Sequence, residues 1–598
     1  MDDYRAPLQD ILFALNQIAD LPGLATLPGF EHAEPEVVAG LLEEAGKFMS
    51  EVLSPLNRSG DLEGARLVDG EVVTPAGFRD AYQKFSEAGW GAVGLDEAHG
   101  GGGLPHAVAI AVQEMVQSAN MSFGLCPALG EGAIQALRHH GSDALKATFL
   151  PKLVPGVWSA TMNLTEPQAG TDLGALRCSA ERADDGSYRI RGTKIFITFG
   201  DHDLTENVVH LLLARTPDAP SGPRGISCFL VPKFLVGPAG EIGARNDLQV
   251  VSLENKLGIH GSPTCVMSFG EAEGAVGYLI GEENRGLQYM FTMMNHERIF
   301  VGCQGLAIAQ RAYQEAASYA RERRQGRAIG SDTAAGESSL IIDHADVRRM
   351  LLTIRSSLDA MRCLLYVTAA SGDRAEHHPD PEERARFAAR SALLTPVVKA
   401  WITDRGVELT SLAMQIFGGM GYVEETGIPQ LYRDVRITPI YEGTNGIQAQ
   451  DLVTRKLPLE GGAVVRSYLD EIRSLCGEIR DSRDPLAKAR DSLSRAVDSL
   501  GEAGEWLLAR SESDPRSVAA GASPYIAMFG DVAGGYYLLK SALVARQQLQ
   551  AGGDDSFLRD KVAAARFYAE QVLPRAVAQL PAITAGAATL FEIDAAKF

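Results

Sequence analysis

A block of strand-like segments set between two long helical regions limits most what this chain can fold into. Tyr188 to Thr198 and Val208 to Leu213 have strand length and composition, and Asp185-Gly186 supplies a hairpin turn before the first. Ile226 to Pro232 is a third apolar run of strand length. On either side the apolar spacing turns helical. Val37, Val38, Leu41, Leu42 and Ala45, then Phe78, Tyr82 and Phe85, recur at that spacing before the block, and Gly286 to Gln325 is one long helical stretch after it. The expectation is a mainly α fold with an inserted β domain. At 598 residues the chain is too long for a single core. The divisions expected are an N-terminal extension (1–35), a helical domain (36–158), a β domain (159–275), a helical bundle (276–456) and an additional helical domain (457–598). Pro458 and Gly461-Gly462 mark the last linker, and packing of the final domain against a partner subunit is expected.

Composition removes several functional classes. The net charge of −20 argues against a nucleic-acid phosphate partner, which needs a basic face. The seven cysteines are dispersed, with no CxxC pair or Cys/His cluster, so neither a zinc site nor a disulfide framework is expected and a reducing compartment is favoured. The acidic start Met1-Asp2-Asp3-Tyr4 lacks a signal-peptide pattern, and no apolar run reaches the length of a membrane span. A cytoplasmic, multidomain protein is the expectation.

Local signals refine the helical regions. Leu8, Ile11, Leu12, Leu15 and Ile18 have helical spacing, broken at Leu21-Pro22-Gly23. Gly89-Trp90-Gly91-Ala92-Val93-Gly94 fits the dinucleotide pattern G-x-G-x-x-G, but that fingerprint must follow a strand and open a helix. Here a helical segment precedes it and four glycines, Gly100 to Gly103, follow, so a loop is expected. Asp343 reads as the N-cap of the helix carrying Val347, Met350, Leu351 and Ile354, and Asp380-Pro381-Glu382-Glu383 as a capped helix start.

The stretch most suggestive of chemistry is Ile440-Tyr441-Glu442-Gly443-Thr444-Asn445, a lone carboxylate among apolar and small residues in an expected turn. Apolar flanks raise a carboxylate's pKa, which suits a general base, although a solvated loop glutamate has the same local sequence. Other segments share its character. Met162-Asn163-Leu164-Thr165-Glu166-Pro167-Gln168-Ala169-Gly170-Thr171-Asp172 is a polar loop with a glycine that lets a ligand approach the backbone. Lys194 to Thr198 is a strand whose alternation puts Phe196 and Thr198 on one face. Arg321-Glu322-Arg323-Arg324-Gln325-Gly326 is a basic helix end, and Gln415-Ile416-Phe417-Gly418-Gly419-Met420-Gly421 a glycine-rich turn suited to phosphate.

Together, in this order, these segments resemble the acyl-CoA dehydrogenase family from about residue 40 to 456, and the length and Tyr-x-Ala-Pro-Leu start resemble its large branch. Members of that branch act on 3-methylmercaptopropionyl-CoA or on fatty acyl-CoAs. The resemblance implies a helical domain, a middle β-barrel-like domain, a helical bundle and an extra helical domain. It implies FAD as cofactor and α,β-dehydrogenation of an acyl-CoA to a trans-2-enoyl-CoA, with Glu442 as base and hydride transfer to flavin N5. Flavin contacts carried over are Met162, Leu164, Thr165, Gly170, Thr171, Phe196, Thr198, Arg323, Gln415, Gly419, Thr444 and Asn445, with Arg323, Gln415 and Gly419 reaching the flavin from a second subunit. Substrate contacts carried over are Thr171, Asn295, Arg298, Tyr441, Gly443 and Arg455. Asn295 departs from the family's aspartate, Phe196 from its frequent tryptophan, and His260 stands where arginine is common, so His260 reads as a structural histidine. An electron-transferring flavoprotein as acceptor, a homodimer and a role in fatty acid β-oxidation also follow from the resemblance. An acyl-CoA oxidase-like flavoenzyme, and a flavin-binding protein of the same fold without dehydrogenase activity, remain open as alternatives.

Overall fold

The computed structural model describes residues 4–237, 240–332, 334, 336–552 and 555–598, except the side chains of Phe291, Thr292, Met293 and Asn295. The chain forms two compact units, one of residues 1–44, 105–114 and 298–598 and one of residues 45–104 and 115–297.

All the strands among the described residues lie in the 45–297 unit. They are β1 (Arg66–Val68), β2 (Glu71–Val73), β3 (Ser159–Asn163), β4 (Ser179–Arg182), β5 (Tyr188–Thr198), β6 (Val208–Ala214), β7 (Ser227–Pro232), β8 (Phe234–Val236), β9 (Ile242–Arg245), β10 (Leu248–Leu253), β11 (Thr264–Phe269) and β12 (Ala275–Ile280). The main sheet runs β10-β11-β5-β12-β7-β6-β3, with β4 also on β5. Every pairing along it is antiparallel except β3 with β6, which starts at Ser159 opposite Val208. β6 and β7 are buried along their whole length, which explains their mainly apolar sequences. Among the described residues β3 and β10 end the path without pairing, so the sheet is open and the expected barrel-like closure is corrected. One face carries Phe149, Trp158, Leu211, Leu213 and Leu230 in a common core.

Two features of this unit differ from the sequence expectation. The 36–158 stretch, read as helices, contains the β1–β2 hairpin, whose turn holds Asp69 and Gly70 at positive φ. The helix His106–His140 is broken at Asn120 (φ −159°, ψ 93°), whose Oδ1 accepts from the Phe123 amide at 3.1 Å and restarts it. The Gly89 to Gly103 segment follows the helix Phe78–Glu87 rather than a strand, which agrees with its reading as a loop. A Cβ at Gly101 would lie 2.2 Å from the Leu95 carbonyl oxygen, so these glycines serve close packing of the loop on itself.

In the other unit, α1 (Gly286–Glu322, from Arg298 onward), α2 (Ala345–His377) and α3 (Pro381–Ile416) form the bundle. The short helices α4 (Ile428–Val435) and α5 (Asn445–Asp451) flank the Glu442 turn. Asp380 caps α3 as expected, accepting from the Glu382 amide at 2.9 Å. The cap expected at Asp343 is corrected: that residue closes a preceding turn, and α2 starts after His344, which makes no side-chain cap. The break expected at Leu21-Pro22-Gly23 falls instead at Asp20, which is left-handed, and Leu21–Leu24 forms a further helical turn.

The additional region supplies α6 (Ala463–Glu478), α7 (Ala487–Leu508), α8 (Pro515–Gln550), α9 (Ser556–Gln571) and α10 (Pro574–Thr584). It lies against its own chain's bundle. Trp401 Nε1 donates to Asp531 Oδ1 at 2.9 Å, and Arg405 meets Asp531 at 2.7 and 2.9 Å. Gly530 gives room for the Trp401 ring, since a Cβ there would lie 2.0 Å from Trp401 Cγ.

Candidate active site

Glu442 sits in the turn between α4 and α5 with φ 56°, a left-handed conformation costing a non-glycine residue about 1–3 kcal/mol. The surrounding contacts hold it there. Gln448, fully buried one turn into α5, donates to the carbonyls of Glu442 and Gly443 at 3.5 and 3.3 Å. A Cβ at Gly443 would fall 2.7 Å from that same Gln448 amide nitrogen, so the turn requires glycine. Thr444 caps α5 through the Ile447 amide at 3.4 Å. The Tyr441 hydroxyl donates to Gln304 of α1. The Glu442 amide has no acceptor among the described residues.

Burial pushes the Glu442 carboxyl above its usual range, while Lys399 and Arg298 pull it back. Arg298, on α1, is 8% exposed and lies 3.9 Å from Asp451. Arg455 approaches the other oxygen of Asp451 at 3.5 Å, so Asp451 links the two arginines that the family resemblance makes substrate contacts. Lys399, on α3, is fully buried and donates to Asn445 Oδ1 at 2.9 Å. Burial brings the Lys399 ammonium down to about 7, opposed by Glu442 and Asp404. The Asn445 amide nitrogen in turn contacts Ala400 O, Thr403 Oγ1 and Asp404 Oδ1 at 3.0, 2.9 and 2.7 Å. The Asn445 side chain is therefore spent on α3.

A second cluster gathers at the far end of α1. Tyr319 stacks on Phe417 with ring centroids 4.3 Å apart, which brings Arg323 and the Gln415 to Gly419 turn to one end of the bundle. Arg323, Gln415 and Gly419 are all exposed, and a Cβ at Gly419 would meet nothing within 4 Å. Such an open glycine turn beside a guanidinium suits a diphosphate.

In the 45–297 unit, the 162–172 loop is anchored by a buried ion pair. Lys194 Nζ bonds Glu166 Oε1 at 2.9 Å and the Leu164 carbonyl at 3.0 Å. Glu166 also accepts from the Arg177 and Cys178 amides at 2.7 and 3.1 Å. The Leu164 and Thr165 amides find no acceptor among the described residues. Met162 is buried, Leu164 and Thr165 are partly exposed, and Gly170 and Thr171 lie at the surface.

Register explains how Phe196 reaches the surface. Cys265 pairs with Ile197 but Met267 with Lys194, so β5 carries a bulge at Ile195 and Phe196. Phe196 takes φ 60° and is 59% exposed, while Lys194 and Ile197 stay buried. Simple alternation put Phe196 and Thr198 on one face but did not give the bulge; Thr198 is half-buried. Within the 45–297 unit, the outward aromatic and the two amides suit the ring of a flavin. His260 is structural, with Nδ1 2.8 Å from Asp61 and Nε2 2.9 Å from the Lys256 carbonyl. The Asn295 side chain lies outside the described residues.

Sequence reasoning missed Lys399, Gln304, Asp451 and the Glu166–Lys194 pair as parts of these clusters. For Lys399 a signal existed: a lone lysine within Val397-Val398-Lys399-Ala400-Trp401-Ile402 must be buried if that helix face is.

Comparison with known proteins bears on the same segments. Models described as acyl-CoA dehydrogenase N-terminal, middle and C-terminal domains match residues 39–157, 161–272 and 284–457. One described as acetyl-CoA dehydrogenase C-terminal like matches 468–594. The chain is 48% identical to a 3-methylmercaptopropionyl-CoA dehydrogenase of Ruegeria pomeroyi, over 97% of this chain and 98% of the relative. Among solved structures, Caenorhabditis elegans ACDH-11 in complex with C11-CoA superposes with a TM-score of 0.75 at 22% identity, covering 95% of this chain and 92% of that one. A Bacillus anthracis acyl-CoA dehydrogenase complexed with FAD gives a TM-score of 0.73 at 18% identity, covering 91% and 88%. The chain belongs to the acyl-CoA dehydrogenase family. It is an oxidoreductase of that class, and among the described residues no helix is long and apolar enough to cross a membrane.

Proposed function

We propose that the protein uses FAD to convert an acyl-CoA into its trans-2-enoyl-CoA, that Glu442 is the base, and that the substrate is 3-methylmercaptopropionyl-CoA. The observation that carries the reading is the Glu442 turn: a carboxylate of raised pKa on a strained residue, with Lys399 and Arg298 beside it. Near-identical length and 48% identity to the Ruegeria pomeroyi enzyme support the choice of thioester.

In this mechanism the Glu442 carboxylate takes the proton from the carbon next to the thioester carbonyl, and a hydride leaves the adjacent carbon, so that a C=C bond forms. FAD, when bound, supplies the two-electron acceptor for that hydride. The unengaged Glu442 amide donates to the thioester oxygen as it gains enolate charge, a contact typically worth about 3 kcal/mol in a dry site. The raised pKa of Glu442 narrows the gap between base and carbon acid. Arg298 and Arg455, joined through Asp451, bind the CoA portion, with Thr171, Asn295, Tyr441 and Gly443 as the remaining substrate contacts. When FAD is bound, Phe196 would stack on the flavin ring and Thr165, Thr198 and the Leu164 amide would bond its polar edge, while Arg323, Gln415 and Gly419 would receive the diphosphate end of the flavin held by a second subunit. Met162, Gly170, Thr444 and Asn445 complete that lining.

The further parts of the reading are a homodimer in the cytoplasm, electron delivery to an electron-transferring flavoprotein, and a place in β-oxidation-type chemistry. Anaerobic bleaching of the flavin by a panel of acyl-CoAs tests the function. Fast bleaching by 3-methylmercaptopropionyl-CoA above saturated chains is expected. Preference for a longer saturated chain would displace the substrate, and bleaching by none would sink the dehydrogenase reading. High peroxide yield in air with poor reduction of an artificial acceptor would turn the reading toward an oxidase.

A further inference from the structure

The region after residue 457 has no part in the mechanism above, yet it walls a cavity at the end of the bundle that carries the glycine turn. The cavity is about 450 Å³ and lies between α2, α3 and the corner where α9 meets α10. That volume falls within the range of about 300–1,000 Å³ typical of small-molecule sites. Glu408, Ser411 and Gln415 of α3 line it, spaced to share one helix face. α2 contributes Arg349. The additional region contributes Gln571, the last residue of α9, and Arg575 at the start of α10. Gln415 ties the cavity to the cofactor, because it opens the Gln415 to Gly419 segment assigned above to the diphosphate.

The lining selects the part of a dinucleotide that it suits. Its cations are already answered by carboxylates. Arg575 Nη1 lies 3.0 Å from Glu408 and its Nε 3.5 Å from Asp531, and Arg349 lies 2.8 Å from Asp346. A phosphate here would compete with those carboxylates and meet the charge of Glu408. An uncharged base and sugar would not. The side-chain amides of Gln415 and Gln571 make no hydrogen bond among the described residues, so both stay available. Such an amide offers a donor and an acceptor in a fork that matches the edge of adenine. Leu412 and Val572 supply apolar contact for a ring, and a guanidinium plane can stack on a ring while its edge holds a carboxylate.

We propose that this cavity receives the adenosine end of the FAD whose diphosphate reaches Arg323 and the Gly419 turn. The proposal rests on the FAD reading. It makes Gln571, Arg575 and Arg349 cofactor contacts and gives the additional region a part in holding the flavin of a second subunit. Arg323 and Gly419, both exposed, take the phosphate charge, and the cavity takes the neutral end. Arg575 also reaches Asp531, the residue that holds Trp401 and Arg405 of α3. Occupancy of the cavity and the seat of the additional region on α3 therefore share one residue.

The test is titration of the full-length apoprotein with FAD and with FMN, which lacks the adenylyl half, read by flavin fluorescence. Gln571→Ala removes one amide. Ser411→Trp fills the cavity from an exposed position on α3. Each variant should bind FAD about tenfold or more weakly than wild type and bind FMN within about twofold of it. FAD affinity kept within about twofold of wild type in either folded variant, or FAD and FMN weakened together, overturns the proposal. Ser411→Trp carries the test if Gln571→Ala does not fold. Loss of the fold in both, read by circular dichroism, also overturns it, since the corner would then be architectural. So does a wild-type apoprotein that takes FMN as tightly as FAD. A wild-type apoprotein that takes neither flavin defeats the FAD reading on which the proposal stands.

Discussion

Replacing Lys194 by methionine should destabilise the 45–297 unit by about 3–5 kcal/mol, because it strands Glu166 as a buried, unpaired charge. Both partners are almost completely buried, Lys194 at 0% and Glu166 at 3%, so solvent does little to soften the loss. The neighbouring Arg177 and Cys178 amides still bond Glu166 at 2.7 and 3.1 Å, which keeps the cost within that range. The sign of the pH dependence follows from the direction of the Glu166 shift. Lys194 and those amides hold its folded pKa below the ordinary value of 4.5. The pair thus contributes stability that is present above the unfolded value and lost as pH falls through the folded one. The gap between wild type and Lys194→Met should be largest near pH 7 and shrink as pH drops below about 4. Urea unfolding of the holoenzyme at several pH values, read by fluorescence and by flavin release, measures it. The double variant Lys194→Met/Glu166→Met should recover part of the loss, since no buried charge remains. A Lys194→Met protein as stable as wild type at neutral pH, or a gap that grows on acidification, would refute the reasoning.

Other outcomes follow from the same geometry. Phe196→Ala should fold normally, because the ring is 59% exposed, yet lose FAD on gel filtration, while Phe196→Trp retains it; absorbance of the eluted protein reads both. Gly530→Ala drives a methyl into Trp401 and should cost about 1–3 kcal/mol, seen as earlier urea unfolding. Asp531→Ala removes one of the two carboxylates paired with the buried Arg405, the other being Glu408, and limited proteolysis should then cut the 457–598 region faster than in wild type.

Much of this architecture was legible because periodicity reports burial. β5 spans Tyr188–Thr198 as its composition suggests, and the capped start at Asp380 is where side-chain chemistry puts it. The misses have physical causes. The β1–β2 hairpin strands are three residues each, too short for alternation to show against helical neighbours. The α2 start slipped from Asp343 to His344 because a tight turn over Ile341–Asp343 took the aspartate first. The bulge at Phe196 is set by register with β11, which no local pattern in β5 encodes. In the site, the turn carrying Glu442 was readable from its small and apolar residues. Its support was not, since Lys399 and Asn445 are 46 positions apart and only the packing of α3 on α5 joins them. The additional helical region was legible as helix but not as to its seat, because an amphipathic helix does not say which surface it covers.

The central claim is that Glu442 takes the α-proton. The direct measurement is stopped-flow flavin reduction by 3-methylmercaptopropionyl-CoA under anaerobic conditions, comparing wild type with Glu442→Gln. The account predicts a variant that still holds yellow FAD and still binds the thioester but reduces its flavin slower by about 10²–10⁴-fold. Flavin reduction in Glu442→Gln within a few-fold of wild type would contradict it.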